Sequence, residues 1–371
     1  MDARIKICII SSQILNIDKI GGFGSMTKCL ADTLASQGHD VSIVVPKKEG
    51  QRSKQTVNGV TIYGVDLRDL LQSGSFFSEI DADIYHSQNP NFLTFLALRA
   101  QPQKKHVITC RDPRETRDWV IETIHATWKR RIKTPFVYLF ENGPLISYAV
   151  KRADVVGCPA HFLKAKIARM YGRKDAILLP NLEKIPDAIP KKAAEPTVCY
   201  VGRLDRRKRP ELVFHLAEKF SNVRFLIVGK AEDPGRQAEM ERCARSLPNV
   251  EMLGYVDKFQ SNQLEEIYAR SWILVNTSAR EGLPMTFIEA AGQGCAILST
   301  VNPDNFASHF GYFVPSVEML SEGMQTLLHN DLWKVRGKAA FEYVSSTYKE
   351  DDAARIHMEV YNRLYYGQIS S

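Results

Sequence analysis

Residues 198–220, VCYVGRLDRRKRPELVFHLAEKF, decide the fold, because a short apolar run, a glycine turn and an amphipathic segment follow one another there. Val198–Val201 is typical of a buried strand and Pro210–Phe220 of a helix. The same alternation continues downstream, with strands predicted at 223–228, 273–275 and 296–299 and helices at 263–269 and 284–292. Such alternation indicates a parallel sheet that is covered by helices on both faces.

The first half of the chain shows the same pattern. Ile5–Ile10 predicts a strand, Ser25–Gln37 a helix that ends at Gly38, and Val41–Val45 the next strand, with further strands at 83–86 and 106–110. Residues 181–196 contain three prolines and few apolar residues, which is typical of a linker. The sequence therefore predicts two Rossmann-like α/β domains, 1–182 and 183–347, that face each other across a cleft, and a helix within 348–371 that packs back on the first domain.

Length and composition limit the class of protein. A chain of 371 residues is too long for one ordinary core, and 44% hydrophobic and 25% charged residues are typical of a soluble protein. No apolar run approaches the roughly 20 residues that cross a bilayer, and Ile5–Ile10 is too short for a signal peptide. Seven dispersed cysteines without a Cys-x-x-Cys pair suit reduced thiols in the cytoplasm and give no metal cluster.

The net charge of +7 is unevenly distributed. Residues 1–182 contain 26 Lys and Arg against 17 Asp and Glu, a net charge of +9, whereas residues 183–371 have a net charge of −2. A basic half suggests that one domain meets an anionic partner, although a merely basic solvated surface would look the same. Nucleic acid is a poor candidate for that partner, because no recognisable nucleic-acid-binding motif accompanies the charge.

A loop rich in cations follows the strand at 198–201. Gly202 makes the turn, and Arg203 and Lys208 follow it, five residues apart, ahead of a helix. A guanidinium can bind two phosphate oxygens at once, while a lysine supplies a mobile point charge, so the loop is typical of an anion site. The alternative is that the run from Arg206 to Arg209 is an ordinary solvated basic loop.

A second candidate anion site lies at 281–289, which reads EGLPMTFIE. Pro284 is expected at the first position of a helix, where its missing N–H costs nothing. The backbone N–H groups around the start of that helix would then be unpaired, and the positive end of the helix dipole would face a ligand. Glu281 before the helix and Glu289 inside it could accept hydrogen bonds from sugar hydroxyls. The residues expected to bind the ligand beside these two glutamates are Gly202, Ser278, Gly282, Leu283, Pro284 and Met285.

These motifs resemble those of the retaining glycosyltransferases of family four, which have the GT-B fold. That family shows a Gly-Arg-Leu…Lys loop, a Glu-x7-Glu motif and a Gly-x-Pro-Val-Val run, the last similar to Gly294–Leu298 here. The resemblance implies that Arg203 and Lys208 hold the diphosphate of a nucleotide-sugar donor. It also implies that Glu281 contacts the transferred sugar and Glu289 the ribose. Members of the family work without a bound metal, so no metal and no cofactor are expected.

The resemblance extends more weakly to the first half. Gly21 and Gly22 stand in a glycine-rich loop before the first helix, where the family has a Gly-Gly pair near donor sugar and acceptor. His86 ends a predicted strand and is a further candidate for substrate contact. One departure is Arg111, which stands where many relatives have a histidine near the donor sugar. Arg111 could bind a carboxylate on the donor sugar or a phosphate on the acceptor, or it could pair with Asp112 or another neighbour.

The segment Trp128–Phe140, WKRRIKTPFVYLF, mixes four cations with aromatic and aliphatic residues. Such mixtures suit the surface of an anionic membrane, since basic groups meet lipid phosphates and rings lie at headgroup depth. The alternative is a helix that covers its own domain.

The sequence thus predicts an enzyme that transfers a sugar from a nucleoside-diphosphate donor to a lipid-linked or polysaccharide acceptor, with retention implied by the resemblance. The expected localisation is cytoplasmic, with peripheral contact to the inner face of the cytoplasmic membrane. Two alternatives stay open: a transferase with a small soluble acceptor, and a catalytically silent sugar-nucleotide-binding scaffold. No Ser–His–Asp or Cys–His arrangement can be argued from the spacing.

Overall fold

A computed structural model describes residues 4–12, 22–47, 51–66 and 74–367. The chain divides into two compact units. Unit 1 comprises residues 1–116, 132–182 and 350–371, and unit 2 comprises residues 117–131 and 183–349. Residues 117–131 therefore belong to unit 2 although they lie within the first half of the sequence. The predicted domains, 1–182 and 183–347 with a helix in 348–371, stay a prediction. A compact unit is not the same as a domain that folds independently.

The strands follow in chain order. They are β1 Lys6–Ile10, β2 Asp40–Pro46, β3 Lys54–Val57, β4 Val60–Val65, β5 Ile84–Ser87, β6 Lys105–Thr109, β7 Val155–Cys158, β8 Ile177–Leu178, β9 Thr197–Val201, β10 Arg224–Val228, β11 Val250–Gly254, β12 Ile273–Asn276, β13 Ala296–Ser299 and β14 Gly311–Phe313. The α-helices are α1 Gly22–Ser36, α2 Gly74–Ile80, α3 Phe92–Ala100, α4 Thr116–His125, α5 Trp128–Glu141, α6 Pro144–Arg152, α7 His161–Tyr171, α8 Glu211–Lys219, α9 Pro234–Arg245, α10 Gln263–Arg270, α11 Met285–Gly292, α12 Phe306–Phe310, α13 Leu320–Leu328, α14 Leu332–Thr347 and α15 Glu350–Tyr365.

Unit 1 is built on an eight-stranded sheet with the order β3-β4-β2-β1-β5-β6-β7-β8. Neighbouring strands are parallel except for β3 and β4, which pair antiparallel at the edge. The central strands are apolar on both faces because helices cover both; in β1, for example, Ile7 to Ile10 are all buried. Helix α15 belongs to this unit, and its Ala353, Ala354 and Tyr361 share a core cluster with β1 and α1.

Unit 2 is built on a six-stranded, wholly parallel sheet with the order β11-β10-β9-β12-β13-β14. Its core is formed by strand residues such as Phe225 and Ile273 and by the helices that flank them. The strand order in the sheet places β9 and β12 side by side, so the loops that follow these two parallel strands meet at the same edge of the sheet.

Local sequence explains where several helices begin and end. Asp233 caps α9 by accepting a hydrogen bond from the Arg236 N–H at 2.8 Å, and Pro234 occupies its first position. Helix α3 begins with a capping box between Asn91 and Thr94. Helix α7 ends at Gly172 in the left-handed conformation that favours glycine.

The predicted strand–helix alternation is confirmed in both units, with boundaries that shift by a few residues. One expectation about the first half is wrong. The loop at 21–24 does not precede its helix, because α1 already begins at Gly22; Gly21 lies outside the described residues. In helix α15, His357 is fully buried, and its Nε2 lies 3.0 Å from the Pro180 carbonyl oxygen.

Candidate functional site

The cation-bearing loop after β9 is held by the end of β10. The Gly202 N–H donates to the Val228 carbonyl at 3.0 Å, and the Leu204 N–H donates to the Lys230 carbonyl at 3.2 Å. Gly229 makes this close approach possible: its φ is +148°, and a Cβ there would lie 1.8 Å from the Gly202 carbonyl oxygen. Glycine is therefore required at 229, a residue that sequence reasoning had not singled out.

Hydrogen bonds join the loop after β12 to the cation-bearing loop. The Thr277 hydroxyl donates to the Lys208 carbonyl at 2.7 Å, and the Ala279 N–H donates to the Arg207 carbonyl at 2.9 Å. In return the Arg209 Nε donates to the Thr277 carbonyl at 2.7 Å. Two loops that are about 70 residues apart in sequence thus form one hydrogen-bonded surface at the carboxyl edge of the sheet.

Lys208 and Glu281 meet on this surface. The Lys208 ammonium donates to the Glu281 carboxylate, and the side chains are 18% and 12% exposed. Burial acts to raise the pKa of Glu281, but the charges of Lys208 and Arg207, with hydrogen bonds from Lys208 and Ser278, hold that pKa below its usual value. Glu281 is therefore ionised at neutral pH.

Arg203 lies on the same loop as Lys208 but has different partners. Its guanidinium is 2.8 Å from the Asp205 carboxylate and 3.5 Å from that of Glu232, and the side chain is 37% exposed. The Tyr200 hydroxyl donates to the Arg203 carbonyl at 3.0 Å and so fixes the backbone at this residue. An arginine that is one-third exposed can exchange surface carboxylates for a stronger anion at little cost.

Helix α11 begins directly after the second loop. Pro284 is the N-cap residue with φ −65° and ψ 125°, so the prediction that it is the first helical residue is wrong by one position. The N–H groups of Met285 and Thr286 follow it, and helix geometry gives the first N–H groups no intrahelical acceptor. Gly282 and Leu283 are partly exposed beside them, whereas Ser278 is buried and its N–H donates to Asn276 Oδ1 at 3.0 Å.

Glu289 lies inside α11 in a second ionic cluster. Its carboxylate accepts from Lys258 Nζ at 2.9 Å and from the Tyr268 hydroxyl at 3.0 Å. Lys258 also donates to Glu183 at 2.9 Å. Burial raises the pKa of Glu183 to about 7, because the attraction of Lys258 is offset by repulsion from Glu289. Sequence reasoning missed Lys258, Tyr268 and Glu183.

A further ionic network connects the two loops to helix α4. Arg207 and Arg280, the residues before Lys208 and Glu281, both pair with Glu122 of α4, at 2.5 and 3.4 Å. Arg280 Nε is also 2.9 Å from Asp118, and both carboxylates are nearly buried. Asp118 and Glu122 are four residues apart and so lie on one face of the helix. This spacing is the sequence signal that could have indicated an acidic helix face facing the two arginines.

The candidates in unit 1 are placed differently. Gly22 is exposed at the start of α1. His86 is fully buried, with Nδ1 2.6 Å from the Tyr361 hydroxyl and Nε2 2.7 Å from the Thr109 hydroxyl. Burial and the neighbouring charges lower the pKa of His86 well below its usual value, so the ring is neutral. This placement favours a structural role over the predicted substrate contact.

Arg111 follows β6 and is 5% exposed. The expected ion pair with Asp112 is absent from the described residues, since the Asp112 carboxylate instead lies 3.1 Å from Arg114. The Arg111 guanidinium donates to two neutral amide oxygens, those of Gln88 and Asn181. Arg111 is therefore a buried cation held by neutral groups.

Helix α5 exposes a row of large apolar side chains. Trp128, Ile132, Phe136 and Leu139 are spaced by three or four residues and are 63–74% exposed, and Phe140 beside them is 55% exposed. Side chains at this spacing lie on one face of a helix. Exposed rows of this size are uncommon on monomeric soluble proteins and mark surfaces that bind something.

No group of three or more His, Cys, Asp or Glu side chains within the described ranges is arranged to hold a metal ion. No helix in the part of the chain that the structure describes is both long and apolar enough to span a bilayer. The cysteines at 8, 29, 110, 158, 199, 243 and 295 are free thiols.

Two family models match the chain. The model for glycosyl transferases group 1 matches residues 181–341, and the model for glycosyltransferase family 4 matches residues 20–181. Together they cover residues 20–341, which include every strand except β1 and all the candidate site residues predicted from the sequence.

Known proteins are similar at low identity. The O-antigen biosynthesis glycosyltransferase WbnH of Escherichia coli is 28% identical over 140 residues, which are 37% of this chain and 38% of that protein, so the alignment spans well under half of it. The structure of sucrose-phosphate synthase from Thermosynechococcus elongatus superposes with a TM-score of 0.75 at 16% identity, covering 98% of this chain and all of that one. Anabaena HepE in complex with UDP-glucose gives a TM-score of 0.70 at 12% identity, covering 96% and 99%. These structural matches show the GT-B fold.

Proposed function

Because the chain belongs to the GT-B glycosyltransferases of the family-four type, we propose that it transfers a sugar from a nucleoside-diphosphate donor to a lipid-linked or polysaccharide acceptor. The observation that carries the proposal is the joining of two loops in unit 2, which sets Lys208 against Glu281 at the start of α11. The complex of HepE with UDP-glucose supports the class of donor, and the O-antigen role of WbnH supports the class of acceptor.

The loops of unit 2 can bind and activate such a donor. Arg203, Lys208 and the first N–H groups of α11 would hold the two phosphates, so positive charge is in place where the leaving diphosphate gains negative charge. Glu281 would then accept a hydrogen bond from the transferred sugar, and Glu289, fixed by Lys258 and Tyr268, one from the ribose.

We propose that transfer retains the configuration of the sugar. The bond from the anomeric carbon to the diphosphate breaks, and the acceptor oxygen bonds to the same face of that carbon. The acceptor hydroxyl gives its proton to the leaving phosphate oxygen, so no protein base is needed. Anomeric proton couplings of the product in NMR spectra test this step, and an inverted product contradicts it.

The main test is release of nucleoside diphosphate from a panel of nucleotide-sugars. We expect release with at least one donor, unaffected by EDTA, and a loss of about 100-fold to 1000-fold in kcat/KM for Lys208→Ala, as for removal of one oxyanion-stabilising donor. Arg206→Ala is the matched control, because Arg206 is an exposed cation of the same loop and should change the rate less than twofold. Binding of a donor without any release would instead favour a silent scaffold.

We further propose that the enzyme is cytoplasmic and docks on the inner face of the cytoplasmic membrane through α5. The exposed row from Trp128 to Phe140 supplies apolar contact, and the exposed Lys133, with the net charge of +9 over residues 1–182, supplies attraction to anionic lipid. The free cysteines are consistent with a reducing compartment.

Sedimentation with vesicles tests the membrane contact. Binding to phosphatidylglycerol vesicles should exceed binding to phosphatidylcholine vesicles and weaken with salt. Phe136→Ser should weaken it about tenfold, because burying a phenylalanine contributes roughly 1.5–3 kcal/mol. Val335→Ser is the control, since Val335 of α14 is similarly exposed, at 65%. Equal binding of both variants, or indifference to salt, contradicts the proposal.

A further inference from the structure

Arg111 has an unusual set of partners for a buried arginine. Its Nε donates to Gln88 Oε1 at 3.1 Å, and its Nη2 donates to the same oxygen. Its Nη1 donates to Asn181 Oδ1 and lies 3.0 Å from the sulfur of Met26. Each of these partners is neutral, and within the described residues Arg111 forms no ion pair.

No carboxylate among the described residues therefore neutralises the charge of Arg111. Burial lowers the pKa of Arg111 to about 10, which still leaves the guanidinium charged at neutral pH. Burial and the charge of Arg111 together lower the pKa of His357 to about 4, and burial with the charges of His357 and Arg111 lowers that of His86. The two histidines are therefore neutral and do not add a negative charge, and a buried cation without an anion is unfavourable.

The location of Arg111 is one where ligands bind in this class of fold. It follows β6 directly, and Gln88 follows the neighbouring β5, so both lie at the carboxyl edge of the parallel sheet of unit 1. One N–H of Arg111 is directed at the Met26 thioether, a weak acceptor that an anionic oxygen would readily replace. Two nitrogens of the Arg111 guanidinium, Nε and Nη2, donate to Gln88 Oε1, and these bonds fix the direction in which the remaining N–H groups of Arg111 point.

We propose that Arg111 is the receptor for an anionic group of the substrate, a carboxylate or phosphate whose oxygens replace the Met26 sulfur. The planar guanidinium fits the paired oxygens of either group. The identity of the substrate rests on the proposed sugar transfer, and two sources have this chemistry. One is a carboxylate on the transferred sugar, and the other is a phosphate that links the acceptor sugar to its carrier.

Two matched pairs of probes separate the sources. The diphosphates of uridine, guanosine, adenosine, cytidine and thymidine are first compared, and the one that stabilises the chain most against heat is chosen. The donor pair is then the glucose conjugate and the glucuronic acid conjugate of that nucleoside diphosphate. The acceptor pair is glucose 1-phosphate and methyl glucoside. Affinities for wild type, Arg111→Gln and Arg111→Lys are measured by calorimetry, so the result does not depend on turnover.

In one of the two pairs we expect the wild type to bind the anionic member about 10-fold to 100-fold more tightly, the value of a charged hydrogen-bonded contact. In Arg111→Gln this preference should fall to within about twofold, and in Arg111→Lys part of it should remain. Affinity for the nucleoside diphosphate alone should stay constant, because it is bound by unit 2.

The proposal is overturned if the wild type prefers the anionic member in neither pair, a result that needs no variant to fold. It is also overturned if Arg111→Gln retains the preference. Failure of the proposed sugar transfer would look different, since no donor would then release its nucleoside diphosphate although the anionic preference could still be measured.

Discussion

The two ion pairs of the candidate donor site in unit 2 differ from the buried Arg111 in unit 1 in the charge of their partners. In unit 2, near the candidate donor site, Lys208 is paired with Glu281 and Lys258 with Glu289. In unit 1 the buried Arg111 faces amide oxygens and a thioether, and the histidines beside it are neutral. Paired charges can exchange partners with a diphosphate, whereas a buried cation that has no carboxylate partner among the described residues indicates a ligand that brings its own negative charge.

The largest effect should come from breaking the paired charges beneath the loops of unit 2. Glu122→Gln leaves Arg207 and Arg280 with one carboxylate fewer in a nearly buried place, so the free energy of unfolding should fall by about 3–5 kcal/mol. Urea denaturation measures this change. Glu251→Gln is the control, because its pair with Arg224 is about half exposed and should contribute less than about 1 kcal/mol. Equal losses in both variants would contradict the comparison.

A smaller effect should come from the glycine contact that holds the cation-bearing loop. In Gly229→Ala the new Cβ would lie 1.8 Å from the Gly202 carbonyl oxygen, so the loop must shift; we expect a loss of about 1–3 kcal/mol and weaker binding of nucleoside diphosphate. Gly202→Ala is matched to it, because its Cβ would meet only the Tyr200 hydroxyl at 3.4 Å, an ordinary contact. Thermal unfolding with and without nucleoside diphosphate distinguishes the two. Stability of Gly229→Ala equal to that of Gly202→Ala would show that the loop can move freely.

An effect of similar size, about 1–3 kcal/mol for each residue, should be a pair of opposite pH dependences of stability. His357 in unit 1 has a lowered pKa, about 4, so the unfolded chain binds more protons there, and stability is lost as pH falls from about 6.5 towards 4. Glu183 in unit 2 has a raised pKa, about 7, so the folded chain binds more protons, and stability is lost as pH rises from about 4.5 to 7.

The variants His357→Gln and Glu183→Gln should each remove one of these slopes from urea-unfolding free energies measured between pH 4 and pH 8. A slope of the same sign from both residues would refute the assignment of the two environments. An unchanged pH profile in His357→Gln would refute the lowered pKa of the buried His357.

The sequence predicts most of the fold because strand and helix periodicities are local. It also indicates the two loops of the donor site, since Gly202, Lys208, Glu281 and Pro284 stand at the ends of readable strands. It does not indicate the partners of those residues. Glu122 and Arg280 pair although they are 158 residues apart in the sequence, and Lys258 and Glu183 although they are 75 apart. Pairs so distant in sequence produce no periodic pattern from which they could be predicted.

The neutral surroundings of Arg111 could not be read from the sequence for a related reason. Asp112 is the next residue in the sequence, so an ion pair between Asp112 and Arg111 is a natural prediction. In the structure Asp112 pairs with Arg114 instead. Gln88, Asn181 and Met26 come together only when β5, the segment after β8 and α1 meet at one edge of the sheet.

In the proposed function, the cation-bearing loop and the start of α11 bind one diphosphate. A crystal structure of the chain with nucleoside diphosphate would show whether they do. We expect phosphate oxygens within about 3 Å of the Arg203 guanidinium, of Lys208 Nζ and of the N–H groups of Met285 and Thr286. A diphosphate bound elsewhere, with Lys208 still joined to Glu281 and no phosphate contact at α11, would contradict the account.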